Sequence, residues 1–577
     1  MCGFCGVVGT GPWRDTTSRL THRGPDDEGV FTGDGVALGF RRLAIIDPTP
    51  AGHQPMSSAD GRYVIVFNGE IYNYRELAEH LGTTPRSRCD TEVLLELFAA
   101  LGPEVLHRLR GMFAFAVWDT ERRELFAARD GFGIKPFFYA VRDGALWFAS
   151  EKKALVEIGA HGEVDTDSLR RYLSVQYVPG PDTMATDVKV LEPGQLLTFR
   201  PGEEPRISRW WRPRLRPAAK PDPGSPQRIL AALEDSVAAH LRSDVPLGAF
   251  LSGGVDSAAI CALAARHRPD LKTFTVGFER EGYSEIDRAE ETAAALGVRS
   301  YPYVITPGEF AANLPRIVWH LDEPFADAAA IALWFLAREA RKHVKVVLSG
   351  EGADELFGGY HVYREAGPGY LGADQVYVDE EVDQVAVVPG ANARELTTPI
   401  LRRARAEGLD EVAARQLVDL SLWLPGDILT KADRMTMAHG LELRVPFLDR
   451  EVLAVAAGLA PGDKIAEDTT KYALRRAVSA VVPEPVATRA KLGFPVPIRF
   501  WLRDELHDFA EHVLGEACTD RYVDRDAAFG MLKRYRDGED FDWRRLWVLV
   551  CFSLWHQVHV EGRYDPAALG WSAEAAR

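Results

Sequence analysis

The stretch Leu251-Ser252-Gly253-Gly254-Val255-Asp256-Ser257 decides how the rest of this 577-residue chain is read. Ahead of it, Val245-Pro246-Leu247-Gly248-Ala249-Phe250 has the length and apolar content of a strand, and residues 258–265 behind it form an apolar run of helix formers. The pattern predicts strand, Gly-rich turn, helix. Two adjacent glycines let the backbone approach a ligand closely and leave N–H groups pointing out of the helix start, which suits a phosphate. No Lys follows the glycines, so this is not the GxxxxGK[ST] loop. Asp256 instead offers a carboxylate for the Mg²⁺ that accompanies a triphosphate.

The complete SGGVDS string after an apolar strand resembles the pyrophosphate loop of the PP-loop ATP pyrophosphatases, which cleave ATP to AMP and pyrophosphate while adenylating a substrate. That resemblance makes Leu251, Ser252, Gly253, Gly254, Asp256 and Ser257 ATP-binding residues and says nothing of the substrate.

The chain is too long for one core, so two or three domains are expected. Its 46% hydrophobic and 26% charged residues are ordinary for a globular protein. A formal net charge of -16 argues against nucleic acid as a partner, although a local basic pocket for ATP is compatible with it. Six cysteines without a CxxC knuckle fit a reducing compartment. The N-terminus lacks the pattern of a signal peptide, and the most apolar late stretch, 546–555, is about half of what a bilayer requires. A cytoplasmic protein with no membrane partner is the expectation.

The chain opens Met1-Cys2-Gly3-Phe4-Cys5-Gly6. Removal of Met1 would expose a residue with both a thiol nucleophile and a free α-amine of ordinary pKa near 8, able to act as its own base. His22-Arg23-Gly24-Pro25-Asp26 follows, then strands at 41–47 and 63–67, the second running into Asn68-Gly69-Glu70-Ile71-Tyr72-Asn73. Asn beside Gly at a strand end offers the side-chain amide and close backbone N–H that a tetrahedral oxyanion needs. Cys89-Asp90-Thr91-Glu92 reads as an acidic helix start.

MCGFCGVVG, HRGPD, RLAIID, NGEIYN and CDTEVLL together resemble the class II (Ntn-type) glutamine amidotransferase domain. The resemblance implies Cys2 as nucleophile, Asn68 and Gly69 as oxyanion hole, Arg42 for the glutamine α-carboxylate, and Glu70 with Asp90 for its α-amine. It also implies a four-layer αββα sandwich over 2–200. Residues 201–227, rich in Pro and holding Trp210-Trp211, read as a linker whose Trp pair packs on a domain face.

From 228 to 577, strands alternate with helical stretches, which predicts a doubly wound parallel sheet with helical additions and ligands at the carboxyl ends of its strands. The strand containing Val276 should end beside the adenine. A further strand, 344–348, leads into Ser349-Gly350-Glu351-Gly352-Ala353-Asp354-Glu355, whose three carboxylates would repel one another unless solvated or neutralised. SGGVDS, SGEGADE, DRMTMAHGLELRVPFLD and RAKLGF, in this order, are similar to the synthetase domain of glutamine-hydrolysing asparagine synthetases.

The family implies that Asp256 and Asp354 hold Mg²⁺ on ATP, with Ser349 and Gly350 at the nucleotide. An acceptor carboxylate, aspartate by default, forms an acyl-adenylate that ammonia from the Cys2 site reaches through an internal tunnel. Lys491 steadies charge on the phosphate, and Glu351 acts as base on the ammonia. A Tyr in place of that Glu marks the β-lactam synthetase branch. The family often forms homodimers, so a dimer is the expectation. Ala328-Ala329-Ala330 stands where a Ser is expected after Asp322-Glu323-Pro324-Phe325-Ala326-Asp327, which leaves open a carboxylic acid other than aspartate. A tRNA-modifying PP-loop enzyme would require a basic surface and a thiol relay, and a non-enzymatic relative would have lost Cys2, Asp256, Asp354 or Lys491.

Overall fold

The computed structural model describes residues 2–10, 13–80, 85–157, 159, 162–364, 370–373, 375–489 and 495–564. The amino-terminal part is a sandwich of two six-stranded sheets. In the first, Gly3–Val8 lies between Val36–Arg42 and Ala145–Ala149, while in the second Tyr63–Ile71 pairs with Gly111–Asp119. Alternation along a strand explains the layering. Val64 and Val66 face Phe4, Leu38 and Phe40 of the other sheet, whereas Ile65 and Phe67 join a different cluster with Leu94 and Phe98 of the helix Asp90–Leu101. On the outer side of the first sheet, Ala154 and Leu155 of the short helix Lys152–Val156 cover Val7 and Trp147.

Arg206–Arg209, inside the stretch read as linker, is the edge strand of the second sheet and pairs with Gln195–Phe199. Trp210 donates from Nε1 to the Arg129 carbonyl at 3.2 Å and stacks on Phe113, and Trp211 lies against Phe132. The Trp pair therefore fixes the start of the crossover to the sandwich.

The carboxyl-terminal sheet has five parallel strands in the order Arg299–Ile305, Lys272–Phe278, Leu247–Phe250, Val346–Leu348, Glu442–Arg444. In chain order this is 3-2-1-4-5, so the winding reverses between Leu247–Phe250 and Val346–Leu348, where a crevice opens at the carboxyl ends of the strands. The helices Val255–His267, Ile286–Leu296 and Ala329–Arg341 pack against this sheet. The helix Leu429–Met437 follows a π-helical segment, Asp419–Ile428, which contains Pro425. Among the described residues, no helix is long and apolar enough to cross a membrane. All six cysteines are free thiols.

The two halves meet through buried charges. Arg23, with no exposed surface, donates to both oxygens of Asp433 (2.8 and 3.2 Å), to Glu151 at 2.8 Å and to the Cys2 carbonyl at 3.0 Å. Lys135 adds a 3.3 Å contact to Asp433, and Arg434 approaches Glu151 at 2.9 Å. Asp322 adopts φ +68°, accepts from the Lys152 N–H at 2.7 Å and pairs with Lys153 at 2.9 Å. Removing one partner of such a cluster strands the others in a low-dielectric interior. Asp433→Ala is expected to lower stability by about 3–5 kcal/mol, read from the urea unfolding midpoint. A shift too small to measure would mean that water reaches the cluster.

Candidate active sites

The first site is built at the head of the strand Gly3–Val8. Cys2 is buried, and its backbone N–H donates to Asn68 Oδ1 at 3.0 Å. With its oxygen engaged, the Asn68 amide turns Nδ2 into the site, where that buried donor has no partner among the described residues. Gly69 continues the strand opposite Phe113, and a Cβ there would lie 2.2 Å from the Met112 carbonyl, so only glycine fits. Arg42 reaches the same place from the end of Val36–Arg42. Its guanidinium is cradled by the carbonyls of Thr49 (2.8 Å), Asp47 (2.6 Å) and Ile46 (3.4 Å). A Cβ on Gly52 would collide with it at 1.9 Å.

Glu70 and Asp90 complete the cluster. Asp90 accepts from the Ile71 N–H at 3.0 Å, and Glu70 Oε2 from Arg444 at 3.0 Å, while Glu70 Oε1 is buried without a partner among the described residues. Burial raises both carboxyls, Glu70 well above the usual range, with Arg444 opposing the rise at Glu70. Burial also raises the Cys2 thiol, and the nearby amino-terminal charge works against that rise. The six residues expected at the glutamine site (Cys2, Arg42, Asn68, Gly69, Glu70 and Asp90) therefore converge, and they leave one donor and one acceptor oxygen unused.

The second site is the crevice of the parallel sheet, a cavity of about 420 Å³. Leu251, Ser252, Gly254, Asp256, Ser257, Val276, Ser349, Gly350, Glu351 and Asp354 line it. The turn after Leu247–Phe250 is tied internally: Ser252 Oγ and Ser257 Oγ lie 2.9 Å apart, and the Gly254 N–H donates to Ser252 Oγ at 3.2 Å. Gly253 sits in the same turn with its carbonyl held by Arg489 at 3.2 Å, so its contribution is the turn rather than the cavity wall. Lys491 lies outside the described residues.

The three carboxylates of the SGEGADE turn are disposed in three different ways. Asp354 pairs with Lys471 Nζ at 2.8 Å. Glu355 turns away from the cavity, is hydrogen bonded by Tyr360 Oη at 2.5 Å and is pushed up to about 7, by burial first and by Asp354 next. Glu351 stays on the cavity wall, raised by burial, with Lys431 opposing and Asp354, Asp327 and Asp256 adding to the rise.

Lys471 is the residue that motif reading missed. Its ammonium sits between Asp256 Oδ2 (2.5 Å) and Asp354 Oδ1 (2.8 Å). It stands at the start of the helix Tyr472–Val478 with φ +53°, two features that disfavour a lysine there and are overridden by the carboxylates. Lys431 was missed as well. It projects into the cavity from Leu429–Met437 and is held by Asp327 and, at 3.3 Å, Asp427. Ala329 forms the adjacent wall, where a hydroxyl was expected from the resemblance. Asp256 Oδ1 is buried without a partner among the described residues, and Asp256 and Asp354 already share one cation, so this oxygen set fits a hard divalent ion such as Mg²⁺.

The family description "Asparagine synthase" matches residues 228–557, and "Glutamine amidotransferase domain" matches residues 1–211. The chain belongs to the asparagine synthase family. It is 40% identical to asparagine synthetase [glutamine-hydrolyzing] 1 of Bacillus subtilis over 99% of this chain and 98% of that protein. A Mycobacterium tuberculosis protein given the name asparagine synthetase provisionally is 47% identical over 95% of this chain and 93% of its own length. Asparagine synthetase 3 of Bacillus subtilis is 33% identical over 83% of both. The protein is thus a ligase of the glutamine-hydrolysing asparagine synthetase type, an ATP-using amidotransferase.

Lys471→Met leaves Asp256 and Asp354 facing each other without a shared charge. In metal-free buffer it is expected to cost about 1–3 kcal/mol of stability. Added Mg²⁺ should then raise the unfolding midpoint of the variant more than that of the wild type. Equal gains would count against these two carboxylates taking a metal.

Proposed function

We propose that Cys2 hydrolyses glutamine and that the ammonia released there amidates an acyl-adenylate in the crevice of the parallel sheet, with aspartate as default acceptor. The observation that carries this reading is the pair of unused buried atoms beside Cys2. Asn68 Nδ2 can donate to a developing oxyanion, and Glu70 Oε1 can accept from an ammonium. Cys2 Sγ attacks the glutamine side-chain carbonyl. The thiol proton passes to the α-amine that Met1 removal would free, then to the departing ammonia, and water cleaves the resulting thioester to release glutamate and restore the thiol. Asn68 and Gly69 stabilise the oxyanion, Arg42 takes the α-carboxylate, and Glu70 and Asp90 take the α-amine.

In the second site, the Ser252–Ser257 turn offers N–H groups to the pyrophosphate of ATP, with Val276 on the nucleobase side. Asp256 and Asp354 would hold Mg²⁺, which supplies charge neutralisation on the phosphates. Lys471 keeps those carboxylates together, and Lys491 is assigned to the adenylation step. Glu351 takes a proton from the attacking ammonia, a role suited to a carboxyl raised by burial. Ala329 beside Asp327 and Lys431 gives the acceptor end of the cavity an apolar wall, which supports testing acids other than aspartate. Glutamine and the acceptor are the partners of this chemistry. The cytoplasmic setting and a homodimer belong to the same reading.

Two outcomes test it. Cys2→Ala should abolish glutamine-dependent product while ammonia-dependent AMP release persists; losing both would remove the two-site scheme. AMP release should be stimulated by aspartate with asparagine formed, and stimulation by another acid alone would keep the machinery and change the acceptor. For Glu351, the base must be ionised, so activity falls as pH drops through a pKa above the usual carboxylate range. Glu351→Gln should lower kcat by about 10²–10⁴ and erase that acidic limb. An unchanged pH profile would reassign the base.

A further inference from the structure

Arg444 ends the last strand of the parallel sheet, yet its side chain reaches the glutamine site. Its main chain belongs to the nucleotide half: Leu348 is its register partner, and the Ser349 N–H donates to the Arg444 carbonyl at 2.9 Å. Its guanidinium is fully buried and is shared among four acceptors. Nε donates to Glu442 Oε1 at 2.6 Å, and Nη1 to the carbonyls of His240 (2.7 Å) and Arg242 (2.5 Å). Nη2 crosses the domain boundary to Glu70 Oε2 at 3.0 Å. The first three contacts lie within the synthetase half and fix the plane of the fork. The fourth clamps one oxygen of Glu70 and leaves Oε1 buried and unpartnered.

The surroundings explain why the clamp matters. Burial raises Glu70, and Arg444 is the largest opposing influence. Asp90 and Glu442 push in the same direction as burial, while the amino-terminal charge assists Arg444. Tyr72, on the strand end beside it, adds no charge, and burial moves its phenol further above the usual range. A neutral Glu70 would offer an ammonium group a hydrogen bond without the charge that makes it strong.

We infer that Arg444 is a positioning residue of the glutamine site, a side chain of the nucleotide-binding sheet that clamps one oxygen of Glu70 so that the other faces the α-amine of glutamine. This rests on Glu70 binding that amine as proposed above. Arg444 touches no reacting atom, so its effect falls on substrate binding. It also means that the glutamine site is incomplete without the carboxyl-terminal half.

The test is Arg444→Lys in the full chain. One ammonium cannot serve Glu442, two carbonyls and Glu70 together. The glutamine KM is expected to rise at least tenfold while kcat for glutamine hydrolysis falls less than threefold. The pH below which KM climbs should move upward, because Glu70 holds the α-ammonium most tightly when ionised and a shorter lysine at 444 no longer donates directly to its Oε2. The KM for 4-carbamoylbutanoate, which is glutamine without its α-amine, should change less than twofold. An unchanged glutamine KM overturns the inference. Equal losses with both substrates, accompanied by a lower unfolding midpoint, also overturn it, since they signify a structural role only. Should Arg444→Lys fail to fold, Arg444→Gln, which keeps a planar donor, carries the same measurements. Glutamine hydrolysis absent from the wild type would sink the two-site reading, whereas hydrolysis present and indifferent to residue 444 sinks this inference alone.

Discussion

The structure depends on a single constraint: charges removed from water must meet their counter-charges, and here part of that set comes from the other domain. Arg23 of the sandwich is neutralised by Asp433 of the helix Leu429–Met437, and Glu70 by Arg444 of the parallel sheet. Each half also supplies a counter-charge of its own, Glu151 to Arg23 and Glu442 to Arg444. Without the other half, however, Asp433 would lose Arg23 and Lys135 and Glu70 would lose Arg444, and a stranded buried carboxylate is far more costly than a lost surface pair. The requirement for partners gives the interface one register. The same elements carry functional groups on their other sides. Leu429–Met437 presents Lys431 to the crevice as well as Asp433 to Arg23, and Arg444 bonds Ser349 through its main chain and Glu70 through its side chain.

The glutamine site shows how satisfaction and its absence divide the labour. Most buried polar atoms around Cys2 have partners: Arg42 is held by three carbonyls, Asp90 by the Ile71 N–H, and Asn68 Oδ1 by the Cys2 N–H. Against that background Asn68 Nδ2 and Glu70 Oε1 stand out, because an orphaned buried group costs free energy unless something else completes it.

Much of this was legible in the sequence, for identifiable reasons. Strand–Gly–Gly–helix and Asn-Gly at a strand end are local patterns, so Leu251 to Ser257 and Asn68–Gly69 declare themselves in a few residues. The doubly wound order follows from alternating elements. Lys471 and Lys431 did not declare themselves, because their meaning lies in contacts to Asp256, Asp354 and Asp327 more than a hundred positions away. The role of Asp322 was hidden for the same reason: its carboxylate serves the domain interface rather than the crevice. Arg206–Arg209 resembled linker by its surroundings of Pro and charge, yet one flank of backbone pairing is enough to make an exposed edge strand.

The composition of the crevice wall bears on how a polyanion gets in. Among the described residues, five carboxylates (Asp256, Glu285, Asp327, Glu351, Asp354) and four cations (Lys431, Lys471, Arg475, Arg489) line it, so it is close to neutral on a chain whose formal net charge is -16. A nucleotide therefore meets its main electrostatic barrier at a distance, from the acidic surface as a whole, and not at the pocket. Repulsion of that kind decays over a Debye length of about 10 Å at 0.1 M salt. Moderate ionic strength, which slows capture by proteins that steer anions with a basic funnel, here speeds it.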